Sequence, residues 1–152
     1  MIRIGKLTDY ALLIMSEIAK EPHSVLSATL LAECLHLTPP TVSKILKMLS
    51  DAELVSSVRG AEGGYHLARS AETITVGDII AAMEGEMAMT ECCEKSRLCA
   101  IDSLCTMREN WRKINSMVQA LLNQFTILDM LKPLSLPALN QLEQTTASGE
   151  GL

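Results

Sequence analysis

The sequence predicts a mainly helical, α+β chain, and three observations carry that prediction. Aromatic residues make up only 3% of it, one Phe, one Trp and two Tyr, so Leu, Ile, Ala and nine Met must fill the core. That composition suits helix packing better than a β-sandwich, whose strands favour aromatic and β-branched side chains. Two short apolar helical patterns joined by a tight turn precede a glycine-rich hairpin at residues 54–67. From Met107 onward, apolar residues step by four and three alternately. Together these describe a winged helix-turn-helix followed by a long C-terminal dimerisation helix.

Each element has a local reason. Residues 8–20 carry Tyr10, Leu13, Ile14, Glu17 and Ile18 at the spacing of one side of a helix, and Glu21-Pro22-His23-Ser24 ends it. Ser27 is placed to cap a short helix over Ala28–Leu35, in which Cys34 is expected as a small core residue. Thr38-Pro39-Pro40 supplies an N-cap and then proline at the first helical position, where a missing N–H costs nothing. The helix it opens turns Val42, Ile45, Leu46 and Leu49 inward and leaves Thr41, Ser43, Lys44 and Lys47 outward. Residues 54–58 alternate like a strand, and Tyr65-His66-Leu67 reads as its return.

Between those strands lies Arg59-Gly60-Ala61-Glu62-Gly63-Gly64. A phosphate-binding P-loop needs Gly-Lys-Ser/Thr and a following helix, and neither is present. As the tip of a wing, the glycines allow positive φ and close approach to a sugar-phosphate backbone, and Arg59 can enter a minor groove. Thr75-Val76-Gly77-Asp78 then resembles a capping box with Asp in place of Glu, opening a helix through Glu84.

Met107, Trp111, Ile114, Val118, Leu121, Phe125 and Leu128 make a seam of three heptads, about 32 Å of helix at 1.5 Å per residue. A stripe of that length predicts a homodimer, because little chain remains to cover it. After Lys132-Pro133 the sequence turns to Ser, Thr, Gln and Gly, the composition of a disordered tail. The expected organisation is a DNA-binding domain over 1–70, a cysteine sensor loop and dimerisation helix over 71–131, and a tail over 132–152.

The length of 152 residues fits one domain, or one domain with an appendage, and needs no disulfide to fold. Apolar runs reach about five residues, so no transmembrane helix is expected. The opening Met1-Ile2-Arg3-Ile4-Gly5-Lys6 has no apolar h-region, which makes the cytoplasm the default location. A net charge of −5 argues mildly against nucleic acid, but the distribution of charge weakens that objection. Residues 1–70 hold seven Lys/Arg and seven Asp/Glu, whereas residues 71–152 hold six against eleven. A neutral module can bind DNA if its few cations share a face.

Five cysteines in a chain without an export signal favour metal or redox chemistry over a disulfide framework. Cys92, Cys93, Cys99 and Cys105 fall within fourteen residues. Their spacing is wider than the Cys-x2-Cys pairs of zinc ribbons and is not that of a ferredoxin. Three thiolates from one loop can hold an iron–sulfur cluster or zinc if one more ligand arrives, the alternative being unligated thiols. Adjacent cysteines rarely ligate together in a small site, so one of Cys92 and Cys93 is a spare.

The run Arg59-Gly60-x-x-Gly63-Gly64-Tyr65-x-Leu67, preceded by Leu54-Val55 and followed by the helix ending at Glu84 and the three-cysteine loop, resembles the IscR/NsrR family of winged-helix regulators. The resemblance covers roughly residues 1–131. Pro40-Thr41-Val42-Ser43-Lys44, Thr90-Glu91-Cys92 and Asn110-Trp111-x-x-Ile114-Asn115 are most similar to regulators of the SUF iron–sulfur assembly operon. It implies a homodimer on a palindromic double-stranded operator, with an iron–sulfur cluster, 2Fe–2S or 4Fe–4S, as sensor. Its DNA-binding residues would be Thr41, Ser43, Lys44, Lys47, Arg59, Gly63, Gly64 and Tyr65. Its cluster ligands would be Cys92 (or Cys93), Cys99 and Cys105. The IscR-type pattern has His three residues after the last cysteine, and here Arg108 stands there, which cannot ligate. In nitric-oxide-sensing members that ligand resembles an Asp near the start of the partner subunit's first helix, a place Asp9 occupies, with Glu91, Glu94 or an exogenous ligand as the alternatives.

The function expected is therefore regulatory, not enzymatic: a repressor of iron–sulfur assembly genes that senses cluster or redox status. One alternative keeps the DNA binding and replaces the cluster with zinc or a reversible disulfide. Another, a small iron–sulfur electron carrier, has no use for the Arg59 wing.

Overall fold

The computed structural model describes residues 3–94, 99–101 and 104–134, and its first helix, α1 (Lys6–Lys20), begins two residues before the spacing predicts. The early start has a distant cause. Gly5, the N-cap, donates its N–H to the Glu84 carboxylate at 2.6 Å, and the buried Thr8 hydroxyl donates to the same oxygen at 2.6 Å. The face of α1 also differs from the one expected. Thr8, Ala11, Ile14, Met15, Ile18 and Ala19 are buried, whereas Leu13 is 46% exposed and Tyr10 and Glu17 are only partly covered. Ile14 and Ile18 are on the expected side and Tyr10 packs against the core, but the buried face is turned to include Ala11, Met15 and Ala19 and to leave Leu13 out.

Helix α2 (Ala28–Leu35) is capped by Ser27, whose hydroxyl accepts the Leu30 N–H at 3.1 Å, and ends on His36 in the left-handed region at φ 53°. It buries only Leu31 and Ala32. Cys34 is exposed, correcting the expectation of a core thiol: it lies on the side of this short helix turned from the core. Helix α3 (Pro39–Asp51) starts at Thr38 with proline in its first turn, and Val42, Ile45, Leu46 and Leu49 are fully buried, as the spacing requires.

Strands β1 (Val55–Val58) and β2 (Gly64–Leu67) pair antiparallel, Val55 opposite Leu67 and Val58 opposite Gly64. The outer edge of β2 does not stay open. Leu26, just before α2, exchanges both backbone hydrogen bonds with Tyr65, at 2.9 and 2.8 Å. This contact fixes Gly64, because a Cβ there would run into the Leu26 carbonyl. Gly64→Ala is accordingly expected to destabilise the fold by about 2–3 kcal/mol, seen as a lower denaturation midpoint, since backbone cannot yield as a flexible side chain can. Gly60→Ala meets no such obstacle, and its cost is confined to a φ of 123°.

Helix α4 (Val76–Glu84) opens with the Thr75–Asp78 capping box, both halves present. Beyond the 3-10 turn at Glu91–Cys93 comes α5 (Arg108–Gln124) and a short α6 (Ile127–Met130). The continuous seam through Leu128 is corrected here: α5 has 17 residues, roughly 25 Å at 1.5 Å per residue, with Met107 as its N-cap. It stops because Phe125 and Thr126 go extended to pair with residues 74–76. Val76 N–H donates to the Phe125 carbonyl at 2.8 Å, and Ile127 N–H to that of Ile74 at 2.9 Å. Thr126 and Asp129 then form a second capping box that starts α6. The Thr126 backbone N–H, and next its hydroxyl, hold the Asp129 carboxyl below its ordinary value.

The core is continuous across residue 70. Ile14, Met15, Leu31, Ile45, Leu46 and Leu49 share it with Ile74, Ile79 and Ile127. Helix α1 packs against α3, α4 and α6, so it touches both the helix-turn-helix and the C-terminal helices. Among the described residues no helix is long and apolar enough to cross a membrane. The tail expected over 132–152 lies, from residue 135 on, outside the described residues.

Candidate functional site

Two regions carry the functional residues expected from sequence. The first is the outer face of α3 with the wing. Ser43, Lys44 and Lys47 are exposed, and Thr41 is partly covered, its hydroxyl 2.7 Å from that of Thr38. Arg59 is exposed at the start of the hairpin tip. None of Lys44, Lys47 and Arg59 has an ion-pair partner among the described residues, so all three present uncompensated positive charge. The other wing residues have packing duties. Gly63 N–H closes the tip on the Gly60 carbonyl at 3.0 Å, Gly64 is buried against Leu26, and Tyr65 leans on the core.

The second region is the cysteine turn and the strap, residues 85–90, that joins it to α4. Cys92 and Cys93 lie in the 3-10 turn, both partly exposed, with their sulfurs 3.1 and 3.3 Å from the Thr90 hydroxyl. Cys99 and Cys105 are also partly exposed thiols, and residues 95–98 and 102–103 lie outside the described ones. Asp9 is exposed in the first turn of α1. Among the described residues no group of three His, Cys, Asp or Glu comes close enough to hold a metal ion. Cys92, Cys93, Cys99 and Cys105 are thus partly exposed, and among the described residues no three of the expected ligands come together.

Helix α5 grips this region through side chains. Asn115, its one buried residue, accepts the Met89 N–H at 3.0 Å and donates to the Met87 carbonyl at 3.2 Å. Gln119 donates to the same carbonyl at 2.9 Å, and Arg112 donates to the Cys92 carbonyl at 3.2 Å. At the other end of the strap stands Glu84 with its bonds to Gly5 and Thr8. The strap therefore ties the cysteine turn to α5 on one side and to the start of α1 on the other. Sequence reasoning assigned no role to Asn115, Gln119, Arg112 or Glu84. Asn115 left a signal: an amide among apolar residues at helical spacing is buried only when it has partners.

The comparisons with known proteins agree with this layout. The Rrf2 family, described as iron-dependent transcriptional regulators, matches residues 4–133. The protein Rrf2 of Nitratidesulfovibrio vulgaris is 36% identical over 95 residues, 62% of this chain and 63% of its own, so the chain spans under two thirds of that relative. The transcriptional regulator CymR of Bacillus subtilis is 34% identical over 133 residues, 85% of this chain and 89% of its own. The solved structure of CymR, described as the global cysteine regulator of that organism, superposes with a TM-score of 0.69 at 32% identity, over 86% of this chain and 97% of CymR. A structure of IscR from T. potens gives 0.66 at 29% identity, covering 86% of each chain. These relatives are transcriptional regulators, not enzymes, and share the mainly helical fold with its small two-stranded wing. The chain belongs to the Rrf2 family of transcriptional regulators.

Proposed function

We propose that the chain is a cytoplasmic, homodimeric repressor that binds a palindromic operator through α3 and the wing and responds to iron–sulfur status, with iron–sulfur assembly genes as its targets. The observation that carries the DNA-binding half is the set of uncompensated cations, Lys44, Lys47 and Arg59, on a recognition helix and a wing. Lys44 and Lys47 meet phosphates, Thr41 and Ser43 reach base edges, and Arg59 lies along the minor groove. Gly63, Gly64 and Tyr65 hold the hairpin in the shape that lets Arg59 do so. Phosphate contacts supply most of the affinity, and one or two side chains read bases.

The test is salt dependence. In the Lys44→Ala, Lys47→Ala double variant, affinity is expected to fall for all duplexes alike, and the log–log salt slope to shrink by about two units. An unchanged slope would remove this face from the interface.

The sensing half rests on donor chemistry. Soft thiols suit an iron–sulfur cluster, and Cys92 (or Cys93), Cys99 and Cys105 would hold it, with Asp9 of the partner subunit as the fourth ligand. When bound, the cluster would supply the redox- or iron-sensitive state. The chain's own part is transmission. Gathering the thiols requires the loop to close on the turn at residues 91–93, which Arg112 and Asn115 fasten to α5. The strap passes any displacement to Glu84, and Glu84 holds the N-terminus of α1, which packs directly on α3. An element that has two arrangements, one with the loop gathered, is what a switch of this kind needs. Functionally the chain divides into a DNA-reading part over 1–70 and a sensing and dimerising part over 71–131.

A second reading, a zinc- or thiol-responsive regulator on the same scaffold, is favoured by the likeness to CymR and by four partly exposed thiols. Visible absorbance of protein purified without oxygen separates the two, since zinc and thiols are colourless there.

A further inference from the structure

The cluster reading uses one of two adjacent cysteines and leaves the other without a task. Neighbouring side chains in an extended segment leave on opposite faces, and an adjacent pair there is no pair at all. The turn at Glu91–Cys93 changes this: with about three residues per turn, both thiols swing toward one neighbour. Their sulfurs lie 3.1 and 3.3 Å from the single hydroxyl of Thr90, and both are partly exposed. They border a cleft of about 350 Å³ whose other walls include Arg112, Asn115 and Ser116. The Arg112 bond to the Cys92 carbonyl, at 3.2 Å, holds the turn in place.

We propose that Cys92 and Cys93 form a two-thiol binding site for trivalent arsenicals. A direct bond between the two sulfurs is disfavoured. Disulfide-bridged residues have Cα atoms about 4.4–6.8 Å apart, and consecutive Cα atoms are only about 3.8 Å apart. Inserting one soft atom between the sulfurs relieves that constraint, and soft thiolates select soft acceptors. The reaction needs no oxidant. With phenylarsine oxide, two As–S bonds form and the As–O bond breaks. The two thiol protons leave with that oxygen as one water, and arsenic stays trivalent throughout. The cleft beside the sulfurs gives the reagent room to approach, but its walls, Glu86, Glu94 and Gln119 among them, are polar, so the two arsenic–sulfur bonds rather than burial of the aryl group hold it. Because the second sulfur closes on an arsenic already held by the first, the ring form gains the advantage of an intramolecular step and resists competing monothiols.

The site is defined in the cluster-free protein, so it stands or falls apart from the iron–sulfur reading, although the two would compete for a shared sulfur. The experiment is intact-protein mass spectrometry of reduced, cluster-free, full-length protein treated with one equivalent of phenylarsine oxide and then with excess monothiol. Wild type, Cys34→Ala, Cys99→Ala and Cys105→Ala are expected to keep one arsenical, with the mass of the reagent less water. Cys92→Ser and Cys93→Ser are expected to retain it at least tenfold less, with circular dichroism confirming that each still folds. Either single variant holding the arsenical as wild type does would overturn the proposal. So would loss of retention on changing Cys99 or Cys105, because the chelating pair would then lie across the loop. A wild type that forms no monothiol-resistant adduct overturns it as well.

Discussion

Cys99→Ala and Cys105→Ala are each expected to abolish the visible chromophore of protein purified without oxygen, the largest single-residue effect on the sensing half. A cluster needs deprotonated sulfur donors, and each ligating cysteine lost leaves an iron site that water fills poorly. Of Cys92→Ala and Cys93→Ala only one should have that effect, and the structure adds to the case for Cys92. Its carbonyl is held by Arg112, which fastens that residue to α5. Cys34→Ala should leave the spectrum intact, because that thiol lies exposed on α2, apart from the loop. Asp9→Ala should make the cluster more oxygen-labile without removing it, as a carboxylate is a hard and weak ligand for iron–sulfur centres. Iron and sulfide retained at wild-type levels in both the Cys99 and Cys105 variants would end the cluster reading and leave the zinc or thiol regulator in its place. Cys93→Ala separates this from the arsenical site: it should keep the chromophore and lose the chelate.

How much of this could be read from sequence depends on whether the signal was local. Caps and inward faces are local, so Ser27, Thr38, the Thr75–Asp78 box and the buried Val42, Ile45, Leu46 and Leu49 were all legible. The wing was legible for the same reason: a glycine-rich tip between alternating residues has few other solutions. The errors on α1 have non-local causes. The start of α1 is set by Glu84, whose carboxylate lies nearly eighty positions away in the chain. The face of α1 is set by packing against α3, α4 and α6 at once, which buries Ala11 and Ala19 and which a count of large apolar residues misjudges. The end of α5 contained a local signal that periodicity overrode. Thr126-Ile127-Leu128-Asp129 is a capping-box pattern, and reading Phe125 and Leu128 as seam positions hid it. The polar grip on the strap was legible only on one side: Asn115 stood out as an amide among apolar positions, but the backbone carbonyl and amide groups that Asn115 and Gln119 satisfy carry no sequence signature.

The shortened α5 sharpens the remaining prediction, on assembly. In the single chain Val118 and Leu121 are half-covered, whereas Ile114 is 42% and Met117 57% exposed. A glutamate at either exposed position should change the stability of the isolated fold by no more than about 0.5 kcal/mol, the usual range for surface substitutions. In a dimer built on this face the same glutamate would be taken out of water and brought close to its symmetry mate, a like charge. An uncompensated buried charge costs about 3–5 kcal/mol, which raises the dimer Kd by roughly a hundredfold to a few thousandfold. Ile114→Glu and Met117→Glu are thus expected to sediment as folded monomers at concentrations where wild type is dimeric. Operator affinity should collapse with the dimer, because a monomer holds one half-site and loses the high effective concentration of the second reader. The contrast with Leu121→Glu is informative: that side chain is partly used inside its own chain, so its variant should lose stability as well as assembly. Soluble dimers of unchanged affinity from both Ile114→Glu and Met117→Glu would place the interface away from α5. The two recognition helices would then be spaced by some other surface, and the strap's grip on α5 could no longer connect the cysteine turn to the dimer.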